Sequence, residues 1–287
     1  MDSLTQADRD FRTTLEQIRA RFEGELALSV RDLEGNVLYE HLADEPFPAA
    51  SVIKLPILLS ALEAAQQGEF SLDARYTLRP EDQVPGAGVL HELGAGLQPS
   101  LRDLLALMII VSDNTATNMV IDLIGQDRVN AFLETHGCNA SRLIGKLQLP
   151  PEKQNPEQRA GRRNFVSASD MTRLLVALEG GRLLDEAHTA LAIDILARQQ
   201  FKDIIGRVLP HDENGELMVR VASKSGVIWG TRNDVGLVWS RRPYAVALLS
   251  RGGHDRREHP ENAILLVQAQ VARAVWERFG DPLRGRD

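Results

Sequence analysis

The chain has 287 residues, of which 43% are hydrophobic and 25% charged, and its formal net charge is −7. That is enough apolar side chain for one large domain or two closely joined ones, with no metal or disulfide needed to hold the core. The negative balance points away from nucleic acid and anionic membrane, the single cysteine, Cys138, excludes an intrachain disulfide, and no run approaches the roughly 20 apolar residues of a membrane span.

The opening residues Met1-Asp2-Ser3-Leu4-Thr5 carry neither the basic nor the apolar region of an export leader. The expectation is a cytoplasmic chain as given, or an exported one whose leader has been removed. Apolar residues at Phe11, Leu15, Ile18 and Phe22 recur at helical spacing, which predicts an amphipathic helix over 4–22. A strand over 26–32, a turn at Glu34-Gly35-Asn36 and a second strand from Val37 follow as a hairpin. From about Phe47 to Gly206 the pattern is mainly helical: helices over 55–67, 101–111, 114–124 and 169–178, with a Gly- and Pro-rich loop over 80–96 and a polar, aperiodic loop over 150–164. The last third returns to strands over 218–223, 235–240 and 244–250, and a helix over about 260–279 closes the chain. The expected fold is α/β (α+β): a five-stranded, largely antiparallel sheet flanked by the terminal helices, with residues 1–45 and 207–287 forming the sheet lobe and 46–206 an inserted helical lobe. The basic tail Arg284-Gly285-Arg286 is too short to alter the charge balance.

Three short motifs carry the chemistry: Ser51-Val52-Ile53-Lys54, Ser112-Asp113-Asn114 and Lys224-Ser225-Gly226. Alone, each has an ordinary reading: a helix-capping serine with a lysine reaching to solvent, a polar helix cap, and a lysine on an edge strand. Together and in this order they describe an acyl-transfer site with a serine nucleophile and a lysine base. Ser51 and Lys54 are three apart at a helix start, so they face the same way. The helix N-terminus favours both an oxyanion and a neutral amine, and a neutral amine takes a hydroxyl proton. If the two helices pack together, Ser112 and Asn114 project toward Lys54, where a hydroxyl relays a proton and an amide holds a carbonyl; Asp113 reads as structural. Gly226 marks a close approach of chain or ligand. The histidines (His41, His91, His136, His188, His211, His254 and His259) have no metal-ligand spacing, no Gly-x-Ser-x-Gly elbow is present, and they read as surface or loop residues.

These residues resemble the penicillin-recognising serine enzymes, most closely the class A β-lactamases, over about Leu26 to Phe279. Leu101-Arg102-Asp103-Leu104-Leu105, the run from Val111 through Asn118, and Arg232-Asn233-Asp234-Val235-Gly236 extend the likeness beyond the triplets. The resemblance implies a serine hydrolase that opens a β-lactam through an acyl-Ser51 intermediate, without metal or other cofactor and as a monomer. It implies Ser51 as nucleophile, Lys54 as acylation base and Ser112 as proton shuttle. It further implies Asn114 and Gly226 in the substrate groove, Lys224 with Ser225 as a carboxylate clamp, and the Val227 N–H with that of Ser51 as oxyanion hole. Arg232 joins the clamp one residue out of step with the arginine of many relatives. The resemblance also implies a loop glutamate that activates the water of deacylation. Here the segment reads Ile144-Gly145-Lys146-Leu147-Gln148-Leu149-Pro150-Pro151, with Leu147 or Gln148 at that place. Glu152 is the nearest candidate, and Glu157 reads as a solvated charge. Weak deacylation is the consequence. It leaves open a penicillin-binding, peptidase-like or esterase-like hydrolase and, from another class, a ligand-binding or persistently acylated sensor module.

Overall fold

Phe11, Leu15 and Ile18 do become the buried stripe of a helix, α1 (Gln6–Arg19), opened by a Thr5/Asp8 capping box. It stops one turn earlier than the apolar spacing predicts, so Phe22 lies beyond it. The computed structural model describes residues 5–280; Leu4 and the Arg284–Arg286 tail lie outside the described residues. There follow β1 (Glu25–Asp32), β2 (Val37–His41), the two-residue β3 (Phe47–Pro48), a 3₁₀ turn (Ala50–Ile53) and α2 (Lys54–Gln66). Beyond them come α3 (Leu101–Ile110), α4 (Asn114–Ile124), α5 (Gln126–Thr135), α6 (Pro156–Arg159), β4 (Phe165–Val166), α7 (Ala168–Glu179) and α8 (Glu186–Ala197). The chain ends in β5 (Arg220–Ile228), β6 (Thr231–Trp239), β7 (Tyr244–Arg251) and α9 (Ala263–Val275).

The five long strands form one sheet in the order β2-β1-β7-β6-β5, and every pairing in it is antiparallel. Alternation decides what each face meets. Leu26, Leu28, Val30, Val246 and Leu248 face α1 and α9, whereas Ala27, Val235, Leu237, Ala247 and Leu249 share a continuous core with the helices between β3 and β5. Residues of α2, including Leu55, Ile57, Leu58, Leu59 and Leu62, are wholly buried at its centre. A helix apolar on all sides belongs there rather than on a surface.

Three expectations are corrected. Helices α5 and α8 fall where the sequence reading gave none: α5 starts at the very glycine that ends α4, Gly125 (φ 84°), so no loop composition separates them. The loop over 150–164 is not wholly irregular, since it holds a 3₁₀ turn and α6. Strand β5 runs to Ile228, so Lys224-Ser225-Gly226 lies within the strand rather than at its end. The sheet's pairing with β6, from Arg220↔Trp239 to Ile228↔Thr231, extends order past the point where local β-propensity fades.

Two contacts position the site. The small ribbon β3–β4 pairs Phe47 with Val166, and the Ala49 N–H donates to Asn164 O at 3.0 Å, tying the end of the long loop to the segment that carries Ser51. Strand β5 is an outer strand of the sheet, and its free edge lies against the 3₁₀ turn. A Cβ added at Gly226 would stand 3.1 Å from Ala49 O, from Ala50 Cβ and from Ser51 N, so any other residue would push the strand and the turn apart by a few tenths of an ångström.

Candidate active site

Ser51 is not a helix cap. It sits inside the 3₁₀ turn that leads into α2, and neither the turn nor the helix has a side-chain cap. In a 3₁₀ turn residues three apart eclipse, which stacks Ser51 and Lys54; the Lys54 N–H donates to Ser51 O. Ala50, just before, is held at φ 46°, a left-handed conformation that costs energy for a non-glycine residue. Pro56 falls in the first turn of α2.

Lys54 does not reach solvent: it is 0% exposed. Its Nζ donates to Ser112 O at 2.6 Å and to Asn114 Oδ1 at 2.9 Å, and lies 3.1 Å from Ser112 Oγ. The Ser51 hydroxyl is not among these partners. Burial holds the Lys54 amine well below its usual pKa; the Lys224 charge pushes the same way and Asp113 opposes. Three oxygens, a carbonyl, an amide and a hydroxyl, thus surround the amine, and none of them carries a charge to hold its proton.

The turn between α3 and α4 makes this meeting possible. Ser112 stands at φ 56° and so directs its own carbonyl to Lys54. Asp113 caps α4 by accepting from Ala116 N at 2.8 Å, and its other oxygen accepts from Val89 N at 2.6 Å and Leu90 N at 2.8 Å. The Pro85–Gly88 loop is thereby wrapped over the start of α4: the Asn114 N–H donates to Ala87 O and Asn114 Nδ2 to Pro85 O. A Cβ at Gly88 would lie 2.3 Å from Asp113 Cγ. Asp113 is therefore structural, as read from the sequence. Asp113→Ala leaves three backbone N–H groups without an acceptor and should cost about 3 kcal/mol or more, lowering the melting temperature by about 6 °C or more. A loss under about 1 kcal/mol in a thermal unfolding series would show that Asp113 does not hold the loop.

On β5, Lys224 is 0% exposed and its Nζ donates to Ser225 O at 2.6 Å. Burial brings its pKa down to about 7, against the pull of Asp234. Ser225 is partly exposed, and its hydroxyl donates to Gln199 Oε1 at 2.7 Å. The Ser225 N–H also faces Gln199, at 3.3 Å, so it points off the free edge of the sheet; the Val227 N–H, two residues on, faces that edge too. Arg232 lies opposite Val227 on β6, on the sheet face away from Lys224. Its guanidinium donates to the carbonyls of Ile228, Thr231 and Arg257, so it closes the β5–β6 turn and none of its hydrogen bonds goes to Lys224 or Ser225.

The loop after α5 is held by amides. Asn164 accepts from Ile144 N and Gly145 N, Asn155 donates to Ile144 O and Gln158 to Lys146 O. Asn118, one turn beyond Asn114 on α4, grips Leu147 at both ends of its backbone: Asn118 Oδ1 accepts from Leu147 N and Asn118 Nδ2 donates to Leu147 O, each at 2.8 Å. Gln148 follows at φ 52°. Glu152 is exposed in the 3₁₀ turn Pro151–Lys153, and Glu157 pairs with Arg162 at 3.0 Å. None of the histidines is buried; His41 lies on β2 and His188 on α8 rather than in loops. Among the described residues no group of three or more His, Cys, Asp or Glu is arranged to hold a metal. Sequence reasoning missed Asn118 as a clamp and Gln199 altogether. The i, i+4 spacing from Asn114 offered a signal for Asn118; Gln199 offered none.

Ser51 and the buried Lys54 at the start of α2, the Ser-Asp-Asn turn beside them and the Lys-Ser-Gly strand next to the 3₁₀ turn bring the three sequence motifs together in one place. The sequence model of the β-lactamase enzyme family matches residues 10–279: the chain belongs to that family, and it is a β-lactamase-type serine hydrolase. It is 28% identical over 250 residues to β-lactamase L2 of Stenotrophomonas maltophilia, covering 83% of this chain and 75% of that protein. The structure of a β-lactamase from Sphaerobacter thermophilus is similar at TM-score 0.81 and 30% identity, covering 93% of this chain and 96% of the other. A leucine-to-glutamate variant of PBP-A, solved as an acyl-enzyme complex with penicillin G, is similar at TM-score 0.77 and 27% identity, covering 94% and 96%.

Proposed function

We propose that β-lactams acylate this protein at Ser51 and that the acyl group leaves slowly. The observation that supports acylation best is the buried Lys54 amine, bonded at once to Ser112 and Asn114 where its charge is disfavoured. Neutral Lys54 takes the Ser51 proton as Oγ attacks the lactam carbonyl. The oxyanion forms against the N–H groups of Ser51 and Val227. When the C–N bond breaks, the proton passes from Lys54 through the Ser112 hydroxyl to the leaving nitrogen. Asn114 keeps one N–H for the substrate's amide carbonyl, since its oxygen is taken by Lys54 and its other N–H by Pro85 O. Lys224 and Ser225 receive the substrate carboxylate.

Deacylation needs a base for water. The clamp by Asn118, one helical turn from Asn114, fixes the Leu147 backbone, and the leucine side chain cannot accept a proton. Glu152, exposed and without a hydrogen bond, offers no support as the base. The same Leu147 favours a second reading, acyl-serine chemistry on a peptidoglycan peptide or an ester. The monomer is taken as the active unit.

Intact-protein mass spectrometry during incubation with a chromogenic cephalosporin tests this. The expected result is a lasting mass gain on Ser51 with slow colour. Fast colour without an adduct would overturn slow release, and neither colour nor adduct would overturn the acyl-serine reading. The pH profile carries a further prediction. Lys224 must be charged to attract a carboxylate, and its pKa is brought down to about 7. Capture of a carboxylate-bearing β-lactam should therefore weaken as pH rises from about 6 to about 9, while the limiting acylation rate falls only on the acid side, where Lys54 gains a proton. A rate per unit concentration that climbs steadily to about pH 9 would show that the Lys224 charge is not used.

A further inference from the structure

Gln199, the second residue past the end of α8, is buried at 1% exposure and bridges two serines of β5. Its Nε2 donates to Ser223 Oγ at 2.7 Å, and its Oε1 takes both the Ser225 hydroxyl, at 2.7 Å, and the Ser225 N–H. The backbone N–H settles the direction of this chain. An amide N–H can only donate, so the side-chain atom facing it is the oxygen, and a hydroxyl beside that oxygen must give its own hydrogen to it. At the far end the amide nitrogen of Gln199 can only donate, so the Ser223 hydroxyl oxygen accepts from it. The Ser225 proton is therefore turned toward Gln199, and what Ser225 presents to the groove is lone pairs. The cationic groups expected of a carboxylate clamp are also engaged: Lys224 Nζ with Ser225 O, and Arg232 with three backbone carbonyls.

We infer that Gln199 is a positioning residue that sets substrate preference by competing with the substrate carboxylate for the Ser225 proton. This rests on the acyl-Ser51 reading above. A carboxylate approaching Ser225 meets lone pairs and must draw the hydroxyl away from Gln199. An acyl donor whose corresponding group is esterified meets no such opposition. The site thus discriminates weakly between free acids and neutral acyl donors, and the substrate class extends to esters and amides that lack a carboxylate next to the scissile bond.

The test compares penicillin G with its methyl ester at one pH, reading acylation rate by intact mass in the parent, Gln199→Met, Ser225→Ala and the double variant. Methionine keeps the length of glutamine and removes the competing oxygen. The expected result is a rise of about tenfold in the acid-to-ester rate ratio for Gln199→Met, on the scale of one charge-assisted hydrogen bond, which disappears in the Ser225→Ala background. A ratio unchanged by Gln199→Met, even if both rates fall, would overturn the inference and leave Gln199 a packing residue. If no protein is acylated by either compound, the acyl-serine reading fails separately. The ratio of dissociation constants for acid and ester, measured by calorimetry on Ser51→Ala with and without Gln199→Met, then decides the inference by the same criterion.

Discussion

Lys54→Ala is expected to slow acylation of Ser51 by between about 100-fold and 10,000-fold, the range a positioned general base contributes. The size follows from how little else is available. No histidine donates to or accepts from Ser51, Lys54 or Ser112, and Lys224, the other buried amine, spends its hydrogen bond on Ser225 O. Alanine also removes the donor to Ser112 O and Asn114 Oδ1, so the variant should be checked by thermal unfolding beside the rate of adduct formation with penicillin G. Lys54→Arg separates the two effects. It keeps a cation and donors but cannot lose its proton in a protein, so it should be as slow as alanine. Acylation by Lys54→Arg within about tenfold of the parent would show that Lys54 acts as a fixed charge rather than as a base.

Leu147→Glu should shorten the life of the acyl adduct by about 100-fold or more. The backbone there is already fixed by both bonds from Asn118, so the new side chain starts from a set position, and Asn118 lies one helical turn from Asn114, which accepts from Lys54. A carboxylate near that amine is a base for water, and it gives the adduct a way out that leucine lacks. The readout is decay of the acyl mass after excess β-lactam is removed, with cephalosporin colour rising in step. Glu152→Gln in the same assay should leave decay within about twofold, since an exposed side chain in the Pro151–Lys153 turn has no set relation to the acyl carbonyl. An adduct as stable in Leu147→Glu as in the parent would place the deacylation barrier elsewhere.

The sequence left two candidates, Leu147 and Gln148, for the place of a deacylating glutamate, and neither side chain is a carboxylate. What holds Leu147 was not legible: an asparagine on a helix gives no sign of which distant backbone it will bond. Glu152 drew notice for the same reason in reverse. A carboxylate near the right place in sequence lies, after two prolines, in an exposed turn.

The sequence by itself determined the helices and strands whose periodicity is complete within their own length, the end of α4 at Gly125, and the three motifs that mark the family. Those signals are local: a few side chains and a cap suffice to specify them. Only the tertiary structure decided that Lys54 meets Ser112 58 positions away and that Gln199 turns the Ser225 hydroxyl from 26 positions away. It also decided that Arg232 is spent on backbone carbonyls and that β5 extends past Gly226. These depend on which elements pack against one another. Burial then amplifies each, because a buried polar group must find a partner or stay uncharged, and the partner it finds is set by the fold rather than by its neighbours in the chain.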